Sequence, residues 1–388
     1  MAIIFSLSLV PLFAGIGAAV DLVNFSRVET TLQEAADAAA LAGAASKKMS
    51  APGQITQIVN DYIAINHGSE LLAAAPKVVE GIDSTTGAFK VTVTGEVKTF
   101  FMGVVGIPTM NAVAISAVNF GIQGMEVALV LDNTGSMAGS KLDSLKIAAK
   151  SMVQILNDAK ADYSDLKFGL VPFSKYVNVG TWNWNASWVN APTNPMMWNG
   201  CVGSRAAPLD EGVGVSGGNF PAIDDGVCPT PILPLTTNTT AINAQIDSMV
   251  ANGNTYIAGG LLWGWNILDS GAPYTEGKTA AQLAAVQGRK VIVLMTDGTN
   301  TASPLYPSHD GSDATLADTK LTSTCDAIKG DKYDVYTVLF EEPSPVIKNL
   351  LRNCASAPEN FFDASNNAAL ISAFENIGHQ LSNVRLVQ

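Results

Sequence analysis

Two apolar runs that each end on an aspartate constrain this chain most. The run Val127–Leu131 stops at Asp132, and the turn residues Asn133, Thr134, Gly135, Ser136, Met137, Ala138 and Gly139 lead at once into a helical pattern. The run Val291–Met295 passes through Thr296 to Asp297 and Gly298. Short continuous runs rich in Val, Ile and Leu are strands buried on both faces, as in a parallel sheet. A parallel sheet gathers the loops that leave its strands at one end, so distant residues can meet there. Asp132, Thr134 and Ser136 alternate, which puts one carboxylate and two hydroxyls on one side of a loop expected to face solvent. Thr255, in a Gly/Asn loop ahead of another helix, and Asp297 complete a set of hard oxygen donors. That set suits Mg²⁺, which takes one or two carboxylates and keeps water elsewhere; Mn²⁺ or Ca²⁺ would accept the same oxygens. The competing reading of Asp-x-Thr-x-Ser is a hydroxyl-rich turn that caps the next helix.

Charge narrows the partners. Of 388 residues only 14% are charged, with a formal net charge of −12. An acidic surface repels phosphate backbones, so nucleic acid is not an expected partner. His67, His309 and His379 are scattered and make no zinc spacing. Four cysteines, Cys201, Cys228, Cys325 and Cys354, have no CxxC spacing. Three pairings are open to them, and four buried thiols are a further reading. Pairing neighbours is simplest: Cys201 with Cys228 would close a Gly/Pro-rich loop, worth about 3–4 kcal/mol in the chain-entropy model. Disulfides place the bulk of the chain outside the cytosol.

Residues 1–20 carry no charge, and 20 helical residues span a bilayer core of about 30 Å. Pro11 is compatible with a spanning helix. A cleaved signal peptide is the alternative, with Gly17, Ala18 and Ala19 as the small-residue site. The absence of Lys or Arg ahead of the run, and the helical pattern that continues through Val23, Val28, Leu32, Ala35, Ala39 and Leu41, favour a retained anchor. Three regions follow: a transmembrane and amphipathic helix over 1–47, a small α+β region over 48–122, and a larger domain over 123–388. The second holds a helix near 53–66 and strands near 88–101 and 110–120.

The third alternates strand and helix, which predicts a doubly wound, mostly parallel α/β sheet. Its strands are expected at 127–131, 167–173, 291–295, 335–340 and 361–362. Its helices are expected at 141–159, 240–250, 257–268, 316–329, 346–353 and 368–384. A long loop insertion, 180–238, interrupts the alternation and carries Trp182, Trp184, Trp188 and Trp198. Such a stretch is a functional loop or a disordered one, and a disulfide favours order. Its tryptophans either bind a partner or form a satellite core.

Asp132, Thr134, Ser136, Thr255 and Asp297 together resemble the metal-ion-dependent adhesion site of von Willebrand factor type A (VWA) domains, with Thr134 where Ser is usual. The segments Asn252–Ile257, Gly260–Trp265, Lys290–Thr301, Trp198–Val202 with Arg205, Cys354–Ala355 and Phe362–Ala364 resemble TadG-type proteins of Tad/Flp pilus assembly. The resemblance implies a Rossmann-like VWA fold on a pilin-like helix, and a bound divalent cation that takes a carboxylate from a protein ligand. It implies a single-pass protein of the bacterial inner membrane, its bulk periplasmic or extracellular, with pilus or envelope components as partners. A secreted or pilus-associated form is the alternative location. Proteins of this type carry a basic tail before the helix, whereas this chain begins inside the apolar run, as an internal or trimmed start would.

Other motifs carry less. Residues 212–217 match GxGxxG and 214–218 match GxSxG, but neither follows a strand or opens a helix. Asp132 is not followed by a second aspartate two residues on, so no proton-transfer group accompanies it and no enzyme is expected. Asp224 and Asp225 read as a turn, and His309, Asp310 and Asp313 as a solvated loop or a rim to the metal site. The functional expectation is a metal-dependent adhesion or assembly module. A metal-independent structural protein is the runner-up, and a metal-dependent hydrolase the third reading.

Overall fold

The computed structural model describes residues 2–45, 54–66, 69–82, 88–119, 124–160, 165–224, 227–286, 288–342, 344–382 and 385–387, with the side chains of 2–15, 44, 45, 54, 69, 82, 105, 119 and 385–387 outside the description. The chain forms two units, Met1–Gly121 with Asn383–Gln388, and Ile122–Ser382. His67, Gly53 and Asp225 lie outside the described residues.

The smaller unit lays two helices on an antiparallel sheet. Helix α1 runs Ala2–Ala45 and α2 runs Gln54–Ile65. Strands β1 (Lys77–Ile82), β2 (Phe89–Lys98) and β3 (Thr109–Asn119) pair in that order, and the final strand, Arg385–Val387, adds to β3. That strand was expected to belong with the larger domain; its backbone instead extends the small sheet. Strand β2 alternates buried and less buried positions along its length, so Val91 and Val93 face the helices while Thr92 and Thr94 face away. Helix α1 covers them with Val28, Leu32, Ala35, Ala36, Ala39 and Ala40, spaced three, four and seven apart as one helical face requires. The approach is close enough that a Cβ on Gly95 would lie 2.9 Å from Leu72 and 3.1 Å from Leu32. Strand β1 escapes sequence reading because Gly81 and an exposed Val79 blur its alternation.

The larger unit is a three-layer sandwich. Its strands are β4 (Gly124–Asp132), β5 (Asp165–Phe173), β6 (Leu233–Thr236), β7 (Arg289–Thr296), β8 (Asp334–Phe340) and β9 (Phe361–Ala364). Its helices are α3 (Ser140–Ala159), α4 (Thr239–Asp247), α5 (Ile257–Leu268), α6 (Ala280–Ala285), α7 (Ala314–Gly330), α8 (Pro345–Cys354) and α9 (Asn367–Ser382). The sheet order is β9-β8-β7-β4-β5, parallel throughout, with short antiparallel additions beyond β5. All nine residues of β4 are buried. Val127, Leu129 and Leu131 share one core with Leu145, Met152 and Phe374, while Ala128 and Val130 share the other with Ile257, Leu261 and Leu321. A strand covered on both faces shows no alternation, which is why these runs read as continuously apolar.

The described residues of the insertion pack into the fold. Its strand Cys201–Val202 joins the sheet edge through Val177–Asn178, which precedes the insertion, and Val189–Asn190 pairs with Phe220–Pro221. The structure joins Cys201 to Cys228 and Cys325 to Cys354. The tryptophans divide: Trp188 and Trp198 enter the core, whereas Trp182 and Trp184 are exposed. Glycine-rich residues 212–218 wrap Arg205, whose Nη1 donates to the Gly214 carbonyl at 2.7 Å and whose guanidinium stacks 4.4 Å from the Phe220 ring centre. These glycines therefore brace the insertion, and neither motif read there faces a strand-to-helix turn.

Candidate metal centre

The sheet order locates the centre. From β4 the chain moves outward to β5 on one side and returns to β7 on the other, so the strand order reverses between β4 and β7. The crevice beyond the carboxyl ends of strands at such a switch point is where open α/β sheets bind ligands. Leu131 pairs with Met295 in register. The next residues out, Asp132 on one strand and Thr296 and Asp297 on the other, therefore meet.

Four of the five expected residues join in one hydrogen-bonded chain. Asp132 Oδ1 accepts the Thr134 backbone N–H at 2.8 Å, and Thr134 Oγ1 lies 3.0 Å from Ser136 Oγ. Ser136 Oγ donates to Asp297 Oδ1 at 2.6 Å. The fifth, Thr255, is buried on a neighbouring loop that hydrogen bonds draw to the first: the Gly135 N–H donates to the Gly253 carbonyl at 2.9 Å, and the Asn252 N–H to the Asn133 carbonyl at 2.7 Å. Thr301 and Ala302 N–H groups both hold the Thr255 carbonyl at 3.0 Å, and the Thr255 N–H donates to Thr301 Oγ1 at 2.8 Å. Helix capping does not explain the motif. Helix α3 has Gly139 at its N-cap and no side-chain cap bond.

The loop faces solvent at Gly135, Ser136, Ala138 and Gly139, as expected, but the carboxylates do not. Asp132 is 0% exposed and Asp297 4%, because β4 and β7 are central strands and the Asn133 and Gly253 loops close over their ends. Burial and the charge of Asp297 push the Asp132 carboxyl up to about 6, against the lowering effect of its bonds to Thr134 and Thr296. Two buried carboxylates that repel each other cost stability unless a cation joins them. Among the described residues no Lys or Arg pairs with Asp132, and no cluster of three His, Cys, Asp or Glu forms a different metal centre.

Two participants escaped sequence reading. Thr296 Oγ1 donates to Asp132 Oδ2 at 2.6 Å; its hydroxyl, at the last position of a buried strand, was the available signal. Lys141 Nζ lies 2.9 Å from Asp297 Oδ2 and 3.7 Å from Glu341 Oε2. A lysine in the first turn of α3 opposes the helix dipole, a sign that its counter-charge lies elsewhere. His309 is neither solvated nor on the rim. It is buried, its Nδ1 bonds the Lys175 carbonyl at 2.9 Å, and its ring packs 4.5 Å from that of Tyr256. Burial lowers its pKa to about 4. Asp313 caps α7 through the Leu316 N–H, and Asp310 holds Ser308.

Comparison with known proteins separates the two ends of the chain. Residues 1–46 match the family described as putative Flp pilus-assembly TadE/G-like. The N-terminal region is TadE/G-like. No curated protein matches the chain. Among solved structures, the open pilus adhesin SpaC from Lactobacillus rhamnosus GG is similar at 14% identity and a TM-score of 0.44, over 79% of this chain and 33% of the adhesin. The chain thus spans about a third of that adhesin's length. The von Willebrand domain of the type V pilus tip protein Mfa5 from Porphyromonas gingivalis gives 13% identity and a TM-score of 0.43, over 67% of this chain and 95% of that one. Proximal thread matrix protein 1 from the mussel byssus, with a zinc-occupied MIDAS motif, gives 15% and 0.40, over 69% and 49%. The larger unit has a mostly parallel sheet with flanking helices and a switch point between β4 and β7.

Proposed function

We propose that the chain is a membrane-anchored adhesion or assembly module of a Tad/Flp pilus system, whose larger unit binds a partner's carboxylate through a divalent cation. The observation that carries this is the meeting of Asp132 and Asp297 at the switch point, both buried, both repelling, and linked through Ser136 and Thr134. Asp132, Thr134, Ser136, Thr255 and Asp297 would hold Mg²⁺, Mn²⁺ or Ca²⁺ by oxygens suited to hard cations. Once bound, the cation would supply a positive charge that two carboxylates balance and one further carboxylate can share. The TadE/G-like region supports the pilus setting, and the two disulfides support a place outside the cytosol. The test is a pull-down of envelope proteins by the full chain with and without Mg²⁺. Capture that is lost in EDTA and in Asp297→Asn supports the reading; capture indifferent to both sinks it.

One observation favours a metal-independent structural module. Lys141 already places an ammonium on Asp297, so half of the carboxylate pair is neutralised from within the chain. Titration calorimetry separates the readings, since a structural module takes up no Mg²⁺.

A further inference from the structure

The smaller unit carries a second feature, remote in sequence from the candidate metal residues. Residues 99–109 contain no charged side chain, and they fold as a closed loop between β2 and β3. The Thr99 N–H donates to the Pro108 carbonyl at 3.1 Å, and Thr99 Oγ1 holds the Ile107 carbonyl. This loop is clamped to α1 at one point. The Asp21 carboxylate, only 1% exposed, accepts the backbone N–H groups of Phe100 and Phe101 at 2.8 Å and of Met102 at 2.7 Å. Phe101 crosses the helix where it has no side chain: a Cβ on Gly17 would lie 2.5 Å from Phe101.

The clamp leaves an apolar collar in the open. Phe100 is 59% exposed, Phe101 51%, Val104 87% and Ile107 43%, and Ile16, Val20, Leu22 and Val23 are exposed on the same stretch of helix that holds Gly17 and Asp21. Exposed apolar groups gathered so densely mark a surface made to be covered. Its place says by what. The loop meets α1 at Gly17 and Asp21, where the uncharged run 1–20 ends, and Asp21 is the first acid along the helix. Three amides satisfy that acid's oxygens, so it can sit at a low-dielectric boundary without a counter-ion.

We propose that the 99–108 loop is a second membrane contact, with Phe100, Val104 and Ile107 seated in the interfacial zone of the bilayer that α1 enters. This rests on the anchor reading given above. An uncharged helix carried alone through a bilayer can tilt and rotate freely. A loop fixed to it by Asp21 and seated beside it sets the depth and facing of the smaller unit.

The test uses the full chain reconstituted into phosphatidylcholine/phosphatidylglycerol vesicles. All four cysteines are in disulfides, so Val104→Cys introduces a single thiol for an environment-sensitive NBD label without touching the core. Val79→Cys, exposed on β1 opposite Thr92, lies six residues back along β2 from Lys98, about 20 Å from the loop, and serves as the control. The expected result is flotation with the vesicles, blue-shifted emission at position 104, and loss of that emission with lipids spin-labelled near the carbonyl, with position 79 unaffected. Flotation with water-like emission at 104 overturns the loop contact while leaving the anchor intact. So does blue-shifted emission that spin-labelled lipid does not quench, which would place a second copy of the chain on the collar. Equal quenching at 79 also overturns it. Failure to float overturns anchor and loop together.

Discussion

Asp132 is the residue at which the two readings of the larger unit diverge. Its carboxyl is raised from 3.8 to about 6, so ionising it in the fold without a cation costs about 3 kcal/mol. Asp132→Asn removes that cost and should leave the cation-free urea midpoint unchanged or higher. Mg²⁺ at about 100 times its Kd should stabilise the parent protein by about 2.7 kcal/mol, and this gain should vanish in the variant. A gain that survives in both Asp132→Asn and Asp297→Asn would refute the metal centre. Lys141→Met should act oppositely on the two states. It strips the ammonium from buried Asp297 and should lower cation-free stability by about 1–3 kcal/mol, yet raise Mg²⁺ affinity several-fold by calorimetry, because no tethered cation competes. His309 supplies a pH signature. Its pKa falls from 6.5 to about 4 on folding, so the unfolded chain binds the extra proton and stability is lost as pH drops through that window. Comparison with His309→Gln should show the parent losing about 2 kcal/mol more between pH 7 and pH 5. A flat difference would mean that the ring is not buried neutral.

Among elements, the insertion depends most on covalent support. Its strands are two residues long apart from β6, which has four, and its hydrogen bonds run largely between loop and loop. Cys201–Cys228 closes this segment, while Cys325–Cys354 ties α7 to α8, two helices already packed on the core. Reduction should therefore speed hydrogen exchange across 180–232 well before the strands β4 and β7 respond. Non-reducing peptide mapping of protein from its native envelope should recover both pairs. Four free thiols there would remove the argument for an oxidising compartment.

At the scale of the whole molecule, removing residues 1–47 should not yield a clean soluble form. Helix α1 supplies Val28, Leu32, Ala35, Ala36, Ala39 and Ala40 to the smaller unit's core, and without it Val91, Val93 and Val118 lose their cover. The natural cut is the unit boundary. Residues 122–382 should express as a soluble, cooperatively melting protein that retains Mg²⁺ binding, since every candidate ligand lies between 132 and 297. Residues 48–388 should aggregate on size-exclusion chromatography. Comparable behaviour of the two fragments would show that the smaller unit does not need α1. The span proposed for residues 1–20 is a reading of the sequence; among the described residues no helix is long and apolar enough to cross a membrane.

Local sequence determined the elements of the larger unit and the meeting place of its candidate ligands. Buried parallel strands announce themselves as apolar runs, and the loop that follows each run must emerge at the same end of the sheet. Val127–Leu131 and Val291–Met295 carried that information within a few residues, so Asp132 and Asp297 could be paired across a wide gap in the chain. Tertiary structure decided what no local pattern contains. Register placed Thr296 on Asp132, the start of α3 brought Lys141 onto Asp297, and packing buried both carboxylates. Packing split the tryptophans of the insertion and drew His309 under Tyr256. It also carried the last strand back to β3 and fastened Phe100–Met102 to Asp21. Each is a contact between residues distant in sequence, and its energy depends on geometry that exists only once the sheet has formed.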